Sequence, residues 1–167
     1  MIRNQTSIEL EIKTDWTEMS NVFESALGFF ERAGFGADAV NTYTMVVCEL
    51  VENGIKYAKS SNDEHPTVHV SVRISNQTVT IQVTNPINVA SRPHLQNLDR
   101  TIQWVRGYQD PFEAFIERMK EISREPLELP KSGLGIVRVA VEGRAALDFF
   151  LGEDNMLSVL AVSRIEN

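Results

Sequence analysis

Short segments that alternate apolar and polar residues are interleaved along this chain with longer segments of helical periodicity. A strand that buries one face alternates with a period of two residues, whereas a helix packed on a sheet repeats its apolar positions every three or four residues. By this criterion the sequence predicts five strands, at Ser7–Lys13, Thr67–Ile74, Val79–Thr84, Ala145–Leu151 and Met156–Val162.

Helical periodicity fills most of the intervening sequence. Thr14 or Asp15 can cap the first helix, and Gly34-Phe35-Gly36 ends it, because glycine adopts the left-handed conformation that is common after a helix. Short polar segments, such as Ser75-Asn76-Gln77-Thr78, fit tight turns between strands. The predicted helices cover Trp16 to Ala33, Asp38 to about Lys59, Leu95 to Val105, Pro111 or Phe112 to Ser123, and a short segment opened by Lys131-Ser132-Gly133-Leu134-Gly135 that ends near Glu142.

The order of these elements predicts an α+β fold. Helices must bury their apolar stripes, so we expect a two-layer α/β sandwich with helices on one face of a mixed, mainly antiparallel sheet. A length of 167 residues suits a single domain, 1–167. Residues 87–130 break the regular pattern and contain four prolines, so we expect a lid-like insertion that covers a site or binds a partner.

Charge and composition limit the classes of partner. The formal net charge is -7, and nucleic acids and anionic membranes are bound through Lys/Arg patches, so we expect neither as a partner. No apolar run approaches the roughly 18 residues of a membrane span, and no signal-peptide core follows Met1. Cys48 is the single cysteine and cannot form an internal disulfide, which favours a cytoplasmic location.

A polar stripe runs along the second long helix. At roughly 100° per residue, Thr42, Glu49, Asn53 and Lys56 fall on one side of it. A carboxylate, a carboxamide and an ammonium group therefore project side by side from a helix that is otherwise largely apolar. A solvated helix face is the simple alternative to a functional site for this E-x-x-x-N motif.

A second motif opens the short helix near residue 134. Gly133 and Gly135 flank Leu134 where free backbone N–H groups and the helix dipole can accept an anion, and glycine allows close approach of the backbone. A tight turn into the helix would explain the same residues. The order of the motifs favours a functional site: the E-x-x-x-N helix, a strand pair ending at Asn85, the insertion, and then Ser132-Gly133-Leu134-Gly135.

With these motifs in this order, the chain from about Ser7 to Ile165 resembles the GHKL superfamily of histidine-kinase-like ATP-binding domains. Within that superfamily it is similar to the serine kinases that act as anti-sigma factors and partner-switch regulators. The resemblance implies a Bergerat-type sandwich and the cofactors ATP and Mg²⁺. It gives Glu49 a catalytic role as base or positioning group, Asn53 the role of magnesium ligand, and Lys56 a phosphate contact. It also implies that amides of the second glycine box hold the phosphates, the box being Ser132, Gly133, Leu134 and Gly135.

The first glycine box differs from the family pattern. The family has an Asp that accepts a hydrogen bond from the adenine amino group, followed by Gly-x-Gly. Here Asn85 takes the Asp position and Pro86-Ile87-Asn88 replaces the glycines. An Asn oxygen can still accept that bond, but proline fixes φ and restricts its neighbour. The adenine pocket is therefore reshaped, suited to another ligand, or closed.

Two functions follow from the resemblance. The first is a Mg-ATP-dependent Ser/Thr protein kinase that phosphorylates a small STAS-type antagonist protein in a partner-switch system, with a sigma factor or other effector as a further partner. The second is a GHKL-shaped binding module that sequesters a protein partner without productive ATP binding, as the altered box Asn85-Pro86-Ile87 suggests. A detached histidine-kinase ATP domain is less favoured, because no phosphoacceptor His region precedes Ser7. Analogy with anti-sigma kinases implies a homodimer.

Overall fold

A computed structural model of the chain describes residues 6–60, 64–107, 113, 116–117, 120–121 and 134–166. Its helices pack on a five-stranded sheet, which confirms the predicted two-layer α/β sandwich. The strands are β1 Ser7–Lys13, β2 Thr67–Ile74, β3 Thr78–Pro86, β4 Ala145–Leu151 and β5 Met156–Arg164. The helices are α1 Met19–Arg32, α2 Ala37–Tyr57, α3 Arg92–Arg106 and α4 Leu134–Val141.

The sheet has the strand order β1-β2-β3-β5-β4. Each of the four pairings between the described strands is antiparallel, so the sheet is more uniform than the mixed arrangement expected from the sequence. The predicted turn joins β2 to β3, where the Ser75 amide donates to the Thr78 carbonyl at 2.9 Å. β3 extends two residues beyond the predicted end at Thr84, because Asn85 and Pro86 still face β5.

β1 is an edge strand of the sheet and pairs only with β2 among the described strands. Its exposed positions alternate with the apolar residues that face the helices, as a half-buried strand requires. Glu9 accepts a hydrogen bond from the Ser71 hydroxyl at 2.8 Å, and Glu11 lies 3.5 Å from His69. The outer face of this edge is therefore charged.

α1 follows a short 3-10 helix, Trp16–Glu18, rather than starting directly at Trp16. The Asp15 side chain caps this segment by accepting a hydrogen bond from the Thr17 amide at 2.9 Å. The same hydrogen bond holds the pKa of the Asp15 carboxyl below its ordinary value. Asp15 is therefore one of the two caps predicted from the sequence. The first turn after it is a 3-10 turn, which is wound more tightly than an α-helix.

α2 crosses the sheet closely enough that a side chain at one position would crowd its neighbours. A Cβ atom on Gly54 would lie 3.1 Å from the Val83 γ-carbon and 3.2 Å from the Val68 γ-carbon. α2 also packs against α1 through Tyr43, whose ring centroid lies 5.4 Å from that of Phe30. These contacts fix α2 against both the sheet and α1.

α3 occupies the first part of the predicted insertion at residues 87–130. A short 3-10 helix, Val89–Ser91, leads into it and carries a capping box, in which the Asn88 side chain accepts from the Ala90 amide at 2.9 Å and the Ser91 hydroxyl accepts from the Asn88 amide at 3.3 Å. Leu98 and Ile102 are buried in the common core, so α3 is part of the body of the domain. Five residues of the helix predicted from Pro111 or Phe112 to Ser123 are described, and all are helical: Glu113, Ile116, Glu117, Lys120 and Glu121.

Charged residues interrupt the longest described helix. α2 is the longest, with 21 residues, and it includes Asp38, Glu49, Glu52 and Lys56. Across the part of the chain that the structure describes, no helix combines the length and the apolar character needed to cross a bilayer.

Candidate functional site

A pocket of about 390 Å³ opens beside the C-terminal half of α2. α2 supplies one wall, α3 supplies another, and the start of α4 closes it on a third side. Its lining residues are Trp16, Glu49, Glu52, Asn53, Lys56, Tyr57, His94, Asn97, Leu98, Thr101, Gly135 and Ile136. Four of the residues predicted from sequence therefore meet in one pocket, although α2 and α4 are far apart in the sequence.

The polar stripe of α2 explains why three of these residues meet. Glu49, Asn53 and Lys56 are spaced by four and three residues, which places them on one face of a helix. Glu49 and Asn53 are only partly exposed, so this part of the stripe is not a fully solvated helix face. Thr42, two turns earlier, lies in a different pocket at the opposite end of α2.

The Glu49 carboxylate is held by an arginine of α4. Arg138 Nη1 donates to Glu49 Oε1 at 2.9 Å, and the two side chains are 36% and 18% exposed, respectively. Burial raises the pKa of Glu49, and the neighbouring Glu52 raises it further, while the charge of Arg138 opposes this shift. The same environment affects Cys48, since burial and the carboxylates of Glu52 and Glu49 raise its thiol pKa to about 11.

Gly135 lies against the other oxygen of Glu49. A Cβ atom at Gly135 would overlap Glu49 Oε2, so only glycine leaves room for this carboxylate at the start of α4. The first turn of α4 also presents backbone N–H groups without helical acceptors, which favour anions. Leu134 begins α4 without lining the pocket in the described part of the chain, and the predicted Ser132 and Gly133 lie outside the described residues.

Asn85 is placed differently from the other predicted site residues. It is 1% exposed, its Nδ2 donates to the Pro86 carbonyl at 3.2 Å, and its Oδ1 faces Gly54 of α2. It is not among the described residues that line the pocket. β3 continues through Asn85 to Pro86, which lies opposite Met156 of β5.

A pair of stacked aromatic rings lies on the wall of the pocket that is formed by α3. The Tyr57 and His94 rings stack with centroids 3.3 Å apart and planes 7° apart. Lys56 Nζ lies 5.1 Å from the centroid of the Tyr57 ring. Both stacked rings also line a smaller neighbouring pocket of about 170 Å³. The stack therefore links the C-terminal end of α2 to the start of α3.

Sequence patterns did not indicate three residues of this site. Arg138 is 89 residues from Glu49, and no local pattern connects them. His94 and Trp16 likewise reach the pocket only through the packing of their elements, although an apolar Trp16 with 56% exposure is unusual. Among the described residues, no group of three or more His, Cys, Asp or Glu side chains could hold a metal ion.

Comparison with known proteins gives a structural match. No family model matches the sequence, and no curated protein matches it. The chain is similar to a chain in the crystal structure of the SiaB-SiaC complex from Pseudomonas aeruginosa, with 19% sequence identity and a TM-score of 0.70. The match covers 95% of this chain and 90% of that one. At this identity the similarity establishes a shared fold.

Proposed function

We propose that this chain is a regulatory protein of a partner-switch system that binds Mg²⁺-ATP in the 390 Å³ pocket and phosphorylates a Ser or Thr of a small STAS-type partner protein. The observation that carries the proposal is the meeting of Glu49, Asn53 and Lys56 of α2 with Gly135 of α4. A protein partner is supported by the structural neighbour, which was solved in a two-protein complex.

The lining groups suit a magnesium-bound triphosphate. Asn53 offers a carboxamide oxygen, which is a hard ligand appropriate for Mg²⁺, an ion that takes few protein ligands. Because the described residues form no complete metal cage, phosphate oxygens and water would supply the remaining ligands. Lys56 and the first amides of α4 provide positive charge for the phosphates. When bound, Mg²⁺ neutralises negative charge on the phosphates and aligns them for in-line transfer.

In this proposal Glu49 acts on the attacking hydroxyl group of the partner protein. In the transfer, the hydroxyl oxygen bonds to the γ-phosphorus, the bond from that phosphorus to the bridging oxygen breaks, and ADP leaves. The hydroxyl proton passes to the Glu49 carboxylate. Because burial and Glu52 raise the Glu49 pKa, its carboxylate is a stronger base than an exposed one.

A second function is favoured by the arrangement around Asn85. Its side chain is buried under α2, and the Tyr57–His94 stack lies at the side of the pocket toward α3. A chain with this arrangement could sequester a protein partner without using ATP. The two functions differ in whether the pocket binds Mg²⁺-ATP.

Calorimetric titration of the purified protein with ATP, with and without Mg²⁺, separates these functions. We expect binding that depends on Mg²⁺ and is lost in Asn53→Ala. Asn76→Ala is the matched control, because Asn76 is exposed in the β2–β3 turn, and it should bind as the unsubstituted protein does. Absence of binding at millimolar ATP would refute the kinase proposal and favour the binding module.

Transfer is tested next with ATP labelled at the γ-phosphate and a STAS-domain protein that co-purifies with this chain. We expect label on the partner and a loss of labelling in Glu49→Gln, which keeps the shape of the side chain but removes its charge. Labelling that persists undiminished in Glu49→Gln would exclude Glu49 as the base.

A further inference from the structure

We propose that Arg138 is a positioning residue that fixes the orientation of the Glu49 carboxylate toward the pocket. This inference rests on the proposed function, in which Glu49 acts on the attacking hydroxyl. It concerns a residue of α4 that reaches Glu49 across the interface between α4 and α2.

α4 contacts both oxygens of Glu49. Arg138 Nη1 donates to Oε1 at 2.9 Å, while Oε2 lies in the space left by the missing side chain of Gly135. Gly135 and Arg138 are three residues apart, so they lie on the same face of the helix. One helix therefore donates a hydrogen bond to one oxygen of the carboxylate and leaves the space that the other oxygen occupies.

Arg138 is itself held in place. Its Nε donates to Glu142 Oε1 at 3.3 Å, and its Nη2 donates to Glu142 Oε2 at 3.0 Å. This two-point contact uses the side of the guanidinium fork away from Glu49 and leaves Nη1 directed at Glu49. Glu142 thus orients Arg138, and Arg138 orients Glu49.

The local charges make this positioning necessary. Glu49 shares the site with two other carboxylates, Glu52 on its own helix and Glu142 immediately after α4. Without the guanidinium, both would repel the Glu49 carboxylate. A lysine at position 138 would keep one positive charge but lack the planar fork, so it could contact Glu49 or Glu142 but not both in the present geometry.

A double-mutant cycle on stability tests whether the pair exists in solution without nucleotide. Unfolding by urea is measured for the unsubstituted protein, Glu49→Gln, Arg138→Met and the double variant. We expect the effects of the single substitutions to be non-additive, as for residues in contact. Additive effects would overturn the inference. Thermal unfolding and circular dichroism of each variant confirm that it is folded.

A second cycle tests the role of Arg138 in the reaction through ATP hydrolysis measured without a partner protein, in which water replaces the partner hydroxyl as the attacking group that Glu49 deprotonates. We expect Arg138→Met to lower kcat, by no more than the roughly 10²–10⁴-fold that a general base contributes, with little change in KM. Arg138→Lys should recover part of the loss. In the Glu49→Gln background, Arg138→Met should have no further effect on kcat.

Two further outcomes are decisive. In the first, Arg138→Met lowers kcat equally in the unsubstituted protein and in Glu49→Gln. That result would show that Arg138 acts directly on the reaction, and it would overturn the positioning role. If the stability cycle shows coupling but the unsubstituted protein neither binds nor hydrolyses ATP, the proposed function fails while the positioning of Glu49 by Arg138 stands.

Discussion

Substitution of Gly135 by alanine should separate the stability of the fold from the activity of the site. The added Cβ would overlap Glu49 Oε2, so the carboxylate must leave its position. Because the overlapping atom is the end of a flexible side chain and not backbone, the fold can accommodate the change by rotation of Glu49. The loss of the Arg138 contact is the main structural consequence.

The expected change in stability is small because two effects oppose each other. Replacing glycine by alanine within a helix stabilises it by about 0.5–1 kcal/mol. Losing the partly exposed Glu49–Arg138 ion pair costs about 0.2–1 kcal/mol, screened in part by solvent. The net free energy of unfolding should therefore change by less than about 1 kcal/mol, which is at most about 2–4 °C in Tm for a chain of this size.

The activity should change much more than the stability. If Glu49 is the base, its displacement should lower ATP hydrolysis by about 10²–10⁴-fold. Affinity for Mg²⁺-ATP should stay within about tenfold, because Asn53 and Lys56 keep their positions on α2, and tenfold corresponds to about 1.4 kcal/mol. Calorimetry and steady-state hydrolysis measure the two quantities on the same sample.

Gly36→Ala is the matched control for this experiment. A Cβ atom at Gly36 would have no atom within 4 Å, and this residue precedes α2 at the end remote from Glu49. We expect unchanged hydrolysis in this variant. Unchanged hydrolysis in a folded Gly135→Ala protein would refute the assignment of Glu49. A fall in Tm of more than about 10 °C would show that Glu49 cannot move aside.

Three further predictions concern stability and titration. Gly54→Ala should lower the free energy of unfolding by about 1–2 kcal/mol, measured by unfolding in urea, because crowding against Val68 and Val83 outweighs the gain in helix propensity. A rise in the free energy of unfolding would contradict the close packing of α2 on the sheet. Burial is the main reason that the thiol pKa of Cys48 is about 11, so this thiol should react slowly with a disulfide reagent at pH 7.5 and faster as the pH rises. Fast reaction at pH 7.5 would contradict the buried environment of Cys48. Because the folded-state pKa of Asp15 is lowered, its carboxylate contributes stability above the ordinary value of 3.8, and this contribution is lost as the pH falls toward the folded-state pKa. The stability difference between the protein and Asp15→Asn should therefore be constant from pH 5 to 7 and shrink below about pH 4, and a difference that grows in acid would contradict the sign.

The local pattern of apolar and polar residues predicted the elements of the fold that bury one face. β1, β2 and β4 begin and end at the residues expected, because alternation directly reports which side chains face the helices. The end of β3 was predicted two residues early. Pro86 is a strand breaker in isolation, yet at the last position of this strand it faces β5 across the ladder.

The site was only partly predictable for a similar reason. Glu49, Asn53 and Lys56 share one helix, so their spacing alone shows that they lie on one face. Arg138 and His94 meet them through contacts between elements, and such contacts leave no trace in a single sequence. Asn85 was expected in the site because of its motif, but it is buried and outside the described pocket lining, and its burial depends on the pairing of β3 with β5.

The charged edge of the sheet has a consequence for self-assembly. If two copies paired their β1 strands antiparallel about Leu10, Glu9 of each copy would lie opposite Glu11 of the other, at two places in the ladder. Like charges directly opposite each other destabilise a strand pair, and charged edge strands are a common protection against joining of sheets. Extension of this sheet through β1 is therefore disfavoured. A homodimer of this chain would therefore be expected to use another surface, because the charges of β1 oppose edge-to-edge pairing in this register.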